Sequence, residues 1–306
     1  MLEILSALRN KLSEAVHRNQ SEGLLLSGGL DSSILALLSP GSKSFTVALE
    51  SYGSDMRYAK QVSRFVNLRH YQEIFSVQKA LDTIPEVIKI LRSFDPAIPN
   101  DISIYIALNS AKEKGIKTVM TGDGGDELFA GYSYMHQLDL DSYIPRLTRS
   151  WTFSSNKLAS ALGIEVKQPY LDKEFVQFAI GIPQDLKVKS DIGKTWGKWI
   201  LRKAFESELP SEIIWREKTA IEYGSGSTAL REIIASTISD TEFTEKKKLY
   251  PIKFRSKEHL YYYEVYQKVI GEIPPPKKDE KQCSECGAGA PQNSQHCRVC
   301  GGFPIK

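Results

Sequence analysis

The sequence predicts an α/β protein with a parallel sheet, helices on both faces, a mostly helical C-terminal half and a small cysteine-bearing module at the end. Three observations carry this expectation. Short apolar runs alternate with apolar positions at helical spacing between Leu24 and Met120. Two of those runs end in glycine-rich turns, Ser27-Gly28-Gly29 and Thr121-Gly122. All four cysteines lie between Cys283 and Cys300, behind a proline-rich, charged stretch.

Leu2, Leu5, Leu8, Leu12 and Val16 recur at helical spacing and predict a helix over 2–18. Leu24-Leu25-Leu26, bounded by turn residues, reads as a buried parallel strand. A helix over 30–38 stops at Pro40-Gly41. A strand over 44–49, a helix over 56–66 and a strand over 71–75 follow. Helices over 77–91 and 102–114 come next, the second capped by Gly115, and then a strand over 117–120. Ligands of such sheets bind at the carboxyl ends of strands, where both glycine-rich turns fall. Beyond Gly131 the pattern is mostly helical, with helices near 156–162, 172–181, 193–208 and 256–270. The expected organisation is a main domain over 1–270, a stiff solvated linker over 271–282 and a module over 283–306.

At 306 residues, 41% hydrophobic and 25% charged, the chain has material for a sizeable core. A net charge of +3 argues against a wholesale nucleic-acid coat but leaves room for a local basic patch. No apolar run approaches the ~20 residues of a membrane span. The N-terminus mixes acid and base on an amphipathic helix, unlike a signal peptide, and the cysteines form no general disulfide framework. A cytoplasmic enzyme is expected.

Three segments carry chemistry. In Ser27-Gly28-Gly29-Leu30-Asp31-Ser32-Ser33, glycines let the backbone approach a ligand, the helix behind offers free N–H groups, and the serines add hydroxyls. That suits a pyrophosphate, and Asp31 among phosphates implies a bridging Mg²⁺. The plainer reading is a strand–helix turn with Asp31 and Ser32 as caps. In Thr121-Gly122-Asp123-Gly124-Gly125-Asp126-Glu127, three carboxylates among three glycines need a cation nearby, unless the segment is a solvated acidic turn. Trp215-Arg216-Glu217-Lys218 precedes a second glycine-rich stretch, and its lysine has no role that spacing alone assigns.

The first segment resembles the signature of PP-loop ATP pyrophosphatases, which split ATP into AMP and pyrophosphate. The second, continued as Leu128-Phe129-Ala130-Gly131-Tyr132, resembles the SGEGxDExFxGY motif of glutamine-dependent asparagine synthetases and β-lactam synthetases. Gln168-Pro169-Tyr170-Leu171-Asp172 is similar to that family's VPFLD, and Lys198 to Arg202 with Trp215 to Lys218 to its KxxLR…WRxK. Order and spacing hold over roughly residues 5–270. The resemblance implies the PP-loop (adenine nucleotide α-hydrolase-like) fold. It implies pyrophosphate contacts at Ser27, Gly28, Gly29, Asp31, Ser32 and Ser33, and adenosine contacts at Leu26, Val47, Thr121 and Gly122. It further implies Mg²⁺ on Asp31 and Asp126 and Lys218 beside a reacting carboxylate. The implied reaction adenylates a carboxylate with ATP and then lets ammonia displace AMP to leave an amide.

Four departures from the family pattern bear on that expectation. The chain starts Met1-Leu2, without the family's cysteine nucleophile, so ammonia is expected free or from a separate glutaminase. Asp123 replaces a glutamate and shortens the carboxylate expected to handle the amine. Pro96-Ala97-Ile98-Pro99 replaces a Thr-Thr-Ile-Arg stretch, and losing a bidentate arginine argues against free aspartate as acceptor. Finally, Cys283, Cys286, Cys297 and Cys300 form two knuckles at zinc-ribbon spacing, so Zn²⁺ is expected to supply the module's folding energy.

Two basic clusters remain, Lys187 to Lys203 and Lys246 to Lys257. With Tyr261-Tyr262-Tyr263 they make either an RNA-binding face or, in the blander reading, helix surface over buried tyrosines. The leading expectation is an amide ligase acting on a small carboxylate. The alternatives are a tRNA-modifying enzyme that adenylates a nucleotide's carboxylate or carbonyl, and a non-catalytic ATP-binding scaffold.

Overall fold

The structure is a computed structural model that describes residues 1–50, 53–191 and 193–305. The chain divides into two compact units. The first comprises Met1–Ala48, Ser54–Glu73 and Ile106–Ala220, the second Leu49–Gly53, Ile74–Tyr105 and Ile221–Lys306.

The first half runs α1 (Leu2–Arg18), β1 (Gly23–Leu25), α2 (Leu30–Leu38), β2 (Lys43–Leu49), α3 (Asp55–Phe65) and β3 (His70–Phe75). It continues through α4 (Val77–Leu91), α5 (Ile98–Glu113), β4 (Thr118–Met120) and the one-turn α6 (Gly125–Leu128), and β5 (Glu165–Lys167) follows later. The sheet order is β3-β2-β1-β4-β5, with β1 parallel to both β2 and β4, and β4 parallel to β5. Strand order therefore reverses direction between β1 and β4, which makes their carboxyl ends the switch point where ligands of such sheets bind. The core of the first unit is apolar side chains from α1, β1 and α2 (Leu8, Leu12, Leu24, Ile34, Leu35), with Phe129, Tyr170 and Phe175 from beyond the sheet.

Several elements depart from the sequence expectation. Helix α5 begins at Ile98, four residues early, because Pro99 falls in the first turn, where its missing N–H has no helical partner to lose. Strand β5 has three residues, two of them charged, too few to show alternation. The helix expected over 193–208 is a hairpin, Lys189–Asp191 against Lys194–Trp196, and then a shorter helix, Trp199–Phe205. Helices at Leu140–Thr148, Ala229–Ser236 and Asp240–Leu249 had no sequence expectation. Of the basic residues between 187 and 203, Lys187, Lys198 and Arg202 are buried, so that cluster is not a surface patch.

In the second unit, α4 packs on the helix Lys257–Val269. The Phe94 ring sits 5.1 Å from Tyr263 and 5.2 Å from Tyr266, and Tyr262 and Tyr263 are buried, so this tyrosine run belongs mainly to the core. Glu280–Gln282, at the end of the expected linker, pairs instead with Gly289–Pro291 as a hairpin. Val299 O accepts from Phe94 N at 2.7 Å and from Ser93 Oγ at 3.2 Å, which joins the cysteine module to the segment after α4.

Lys187 is 1% exposed, its one hydrogen bond among the described residues is a long 3.4 Å contact to Ile180 O, and burial pushes its amine down to about 8. Its folded value lies below the unfolded 10.5, so the penalty is full at pH 7 and fades as pH rises through 8 to 10.5. Lys187→Met is expected to stabilise the protein at pH 7 by about 1–3 kcal/mol. Paired thermal melts at pH 7 and pH 10 should show that gain shrinking.

Candidate functional site

The turn after β1 is held by its own serines. Ser27 N donates to Ser32 Oγ at 3.3 Å, Gly29 N donates to Ser27 Oγ at 3.2 Å, and Ser32 Oγ donates to Gly29 O at 3.2 Å. Gly28 has φ +69°, and a Cβ there would come within 2.5 Å of Ala59 N. The close approach that requires glycine here is therefore made by α3. Gly29 stands at the N-cap of α2, so the first-turn amides of that helix face the turn. Ser33 Oγ is buried without a partner among the described residues.

The turn after β4 packs against Asp31. A Cβ at Gly122 would lie 3.2 Å from Asp31 Cβ, and one at Gly125 would lie 2.7 Å from Asp31 Cγ. Small residues at 122 and 125 thus let two acidic turns meet. Between them sits Lys198, whose Nζ pairs with Asp31 Oδ2 and lies 2.6 Å from Asp126 Oδ1. Lys218 Nζ lies 2.8 Å from Asp126 Oδ2. Two carboxylates and two ammonium groups make a formally neutral quartet. Lys198 is 3% exposed and Lys218 32%, so Lys218 is the cation a substrate can reach.

The electrostatics follow from burial and pairing. Burial, aided by Asp126, raises the Asp31 carboxyl despite Lys198. Burial acts upward on Asp126 as well, but the ammonium groups of Lys198 and Lys218 outweigh it and hold that carboxyl at about 2. Burial is opposed at Lys198 by both carboxylates, which keep its amine above the ordinary value. Among the described residues Asp31 Oδ1 is buried with no hydrogen-bond partner, and Asp126 Oδ1 meets Lys198 without hydrogen-bond alignment. Two buried carboxylate oxygens with unused lone pairs are suited to a hard divalent cation such as Mg²⁺.

The segments carrying the two lysines are fastened together. Lys198 has φ +55°, and its N donates to Phe129 O at 2.7 Å. A side chain at Gly131 would overlap Asp126 Oδ1, and one at Gly197 would overlap Ala130 O. The buried guanidinium of Arg202 bonds Gly197 O at 3.1 Å, Arg216 O at 3.0 Å and also Ile214 O, joining the Lys198 segment to the Lys218 segment. Arg216 pairs with buried Asp55 at 2.7 Å, donates to Ser27 O at 3.3 Å and lies 3.9 Å over the Tyr58 ring.

Of the residues singled out in the sequence, Asp31, Asp126 and Lys218 come together, with Gly122 and Ser32 alongside. Leu26, Val47 and Thr121 are buried at the ends of β1, β2 and β4. Asp123 belongs to a different group. Its Oδ2 accepts from Thr121 Oγ1 at 2.6 Å, Ser155 Oγ at 2.6 Å and Gln168 Nε2 at 2.8 Å. Sequence reasoning did not find the bridging role of Lys198, the Arg216–Asp55 pair or Glu127. Burial, with repulsion from Asp126, pushes the Glu127 carboxyl up to about 7, and Tyr132 OH donates to it at 3.3 Å. The available signal for Lys198 was its place in the Lys-Trp-Ile-Leu-Arg stretch.

In the second unit, the four cysteine sulfurs lie within 4.8 Å of one another, all buried. Cys283 and Cys300 are 3.7 Å apart, as are Cys286 and Cys297. Tetrahedral Zn²⁺ with Zn–S near 2.3 Å has S···S edges of about 3.8 Å, whereas a disulfide needs about 2.05 Å. Glu285 N donates to Cys283 Sγ at 3.4 Å. The two knuckles repeat one geometry, with Gly287 N donating to Cys283 O and Gly301 N to Cys297 O, both at 2.9 Å.

Among the described residues no helix is long and apolar enough to cross a membrane. A family profile described as Asparagine synthase matches residues 3–154 and 137–272. Asparagine synthetase [glutamine-hydrolyzing] of Sandersonia aurantiaca is 31% identical over 92% of this chain and 59% of its own length. That of Asparagus officinalis is 33% identical over 79% of this chain and 46% of its own. The chain thus spans about half the length of the curated relatives it matches. Among solved structures, the U34-tRNA thiolase NcsA from Methanococcus maripaludis overlaps 89% of this chain and 81% of its own, at 12% identity and a TM-score of 0.37. The profile covers most of the sequence, both glycine-rich turns and the lysines joined to them: the chain belongs to the asparagine synthase family.

Proposed function

We propose that this chain is an ATP-dependent, AMP- and pyrophosphate-forming amide ligase, which adenylates a carboxylate and passes the acyl group to ammonia. The observation that carries the reading is the buried Asp31–Lys198–Asp126–Lys218 quartet at the carboxyl ends of β1 and β4. The family of the chain supports the same chemistry.

In this reading Ser27, Gly28, Gly29, Ser32, Ser33 and the first-turn amides of α2 hold the pyrophosphate end of ATP. Leu26, Val47, Thr121 and Gly122 contact the adenosine. Asp31 and Asp126 hold Mg²⁺, which when bound supplies charge neutralisation to the phosphate oxygens. The carboxylate oxygen of the acceptor forms a bond to the α-phosphorus, and the bond from that phosphorus to pyrophosphate breaks. Lys218, the more exposed ammonium, faces the charge that develops there, while Lys198 keeps Asp31 and Asp126 together beneath it. Ammonia then attacks the acyl carbon, AMP leaves, and a proton is released. Asp123 meets the amine through Oδ1, because its Oδ2 already accepts three hydrogen bonds. The ammonia is free or comes from glutamine hydrolysis, and the reducing setting of the cytoplasm suits four unbridged cysteines.

The test supplies α-labelled ATP, Mg²⁺ and ammonium with aspartate, other free carboxylic acids, or total tRNA. AMP is expected only with a carboxylate acceptor. Lys218→Met should reduce its formation about 100-fold or more, with ATP affinity changed less than about threefold. AMP formed with tRNA alone would move the assignment to RNA modification. No AMP with any acceptor, despite ATP binding, would leave a scaffold and refute the ligase.

We further propose that Cys283, Cys286, Cys297 and Cys300 hold structural Zn²⁺, with 283–306 as its module behind a 271–282 linker. Elemental analysis is expected to find about one zinc per chain. The thiols should stay unreactive until a chelator is added. Cys286→Ser should lower the melting temperature by roughly 10 °C. Four thiols reacting at once in the untreated protein would contradict the site.

A further inference from the structure

Helix α3 has two faces of opposite character. Asp55, Ala59, Val62 and Ser63 are buried, and Tyr58 and Ala59 close on Gly28 of the nucleotide turn. Arg57, Lys60 and Arg64 recur at i, i+3 and i+7, which places them on the other side along about 10 Å of helix. All three are exposed, and among the described residues none takes part in an ion pair. Arg57 lies over the Tyr58 ring, 5.8 Å from its guanidinium.

These cations edge an open cavity of about 580 Å³, lined by Arg57, Lys60, Gln61, Arg64, Phe65 and Pro210. The nearby carboxylate of Glu212 is already engaged by Gln61 Nε2. At the end of the cationic row stands Phe65, 57% exposed, a large ring that contributes little to the core. Unpaired guanidinium groups match phosphate oxygens in a two-pronged fashion, and an exposed ring offers a stacking platform. The carboxylates of an acidic peptide would answer the charge but would leave Phe65 unused. A nucleic-acid strand with unstacked bases answers both features.

We propose that the outer face of α3 binds single-stranded RNA, with phosphates on Arg57, Lys60 and Arg64 and a base on Phe65. The site stands on charge and exposure within the first unit and does not depend on the amide-ligase reading. None of its residues belongs to the quartet, so its loss and the loss of AMP formation are separable.

The test is fluorescence anisotropy of a labelled single-stranded RNA of about a dozen nucleotides against the full chain, over a range of salt. The triple variant Arg57→Glu, Lys60→Glu, Arg64→Glu is expected to weaken binding at least tenfold. It should also flatten the slope of log K against log salt by about 2, near 0.7 per lost phosphate contact. Phe65→Ala should weaken binding about fivefold with the slope unchanged, and its exposed position keeps this variant informative if the triple one fails to fold. ATP affinity should be unchanged in Phe65→Ala. RNA that does not bind the parent, or binds Phe65→Ala equally well, overturns the proposal, as does a polyglutamate peptide binding where RNA does not.

Discussion

An ammonium group buried between two carboxylates organises the first unit. Without Lys198, Asp31 and Asp126 would face each other in a low-dielectric setting where neither could ionise without penalty. Buried ion pairs are seldom the most stable solution, since apolar groups of equal volume often do as well or better by about 1–4 kcal/mol. Their presence at the switch point of the sheet is therefore better explained by the charge they present than by stability. The nearby glycines fit that view. Gly122 and Gly125 admit Asp31, and Gly131 leaves room for Asp126 and the Lys198 stem.

Much of this was legible in the sequence, and the reason is local. A three-leucine strand, a serine-glycine turn and an apolar helix are contiguous, so the turn at 27–33 could be placed with its neighbours. The acidic turn at 121–127 was legible for the same reason, as was cysteine spacing that anticipates four sulfurs in one cluster. What failed to show was long-range. Lys198 is 167 residues from Asp31, and its Lys-Trp-Ile-Leu-Arg stretch marked it as part of a family pattern without showing that it bridges two turns. Arg202 stood both in the KxxLR-like stretch and in a basic cluster open to two readings, and only its three carbonyl partners show that it is an internal clamp. Strand β5 is short and polar and takes its conformation from pairing with β4.

Chemistry-bearing residues sorted differently from their residue types. Among six basic residues between 187 and 203, one is a burial penalty, one a bridge and one a clamp, while three exposed cations with no ion pair among the described residues lie on α3, outside both runs of basic sequence. Asp123 shows the same lesson for carboxylates. It sits three residues before Asp126, yet its hydrogen bonds go to Thr121, Ser155 and Gln168 and not to the lysines.

As a metal–nucleotide site the quartet should hold a divalent cation together with ATP, which an internal ion cluster would not do. Mn²⁺ in place of Mg²⁺ makes the ion visible by electron paramagnetic resonance, with ATP present and the parent chain compared with Asp126→Asn. One tightly held Mn²⁺ per chain that depends on ATP is expected, with affinity at least tenfold weaker in Asp126→Asn. Mn²⁺–ATP bound equally well by both proteins would contradict it.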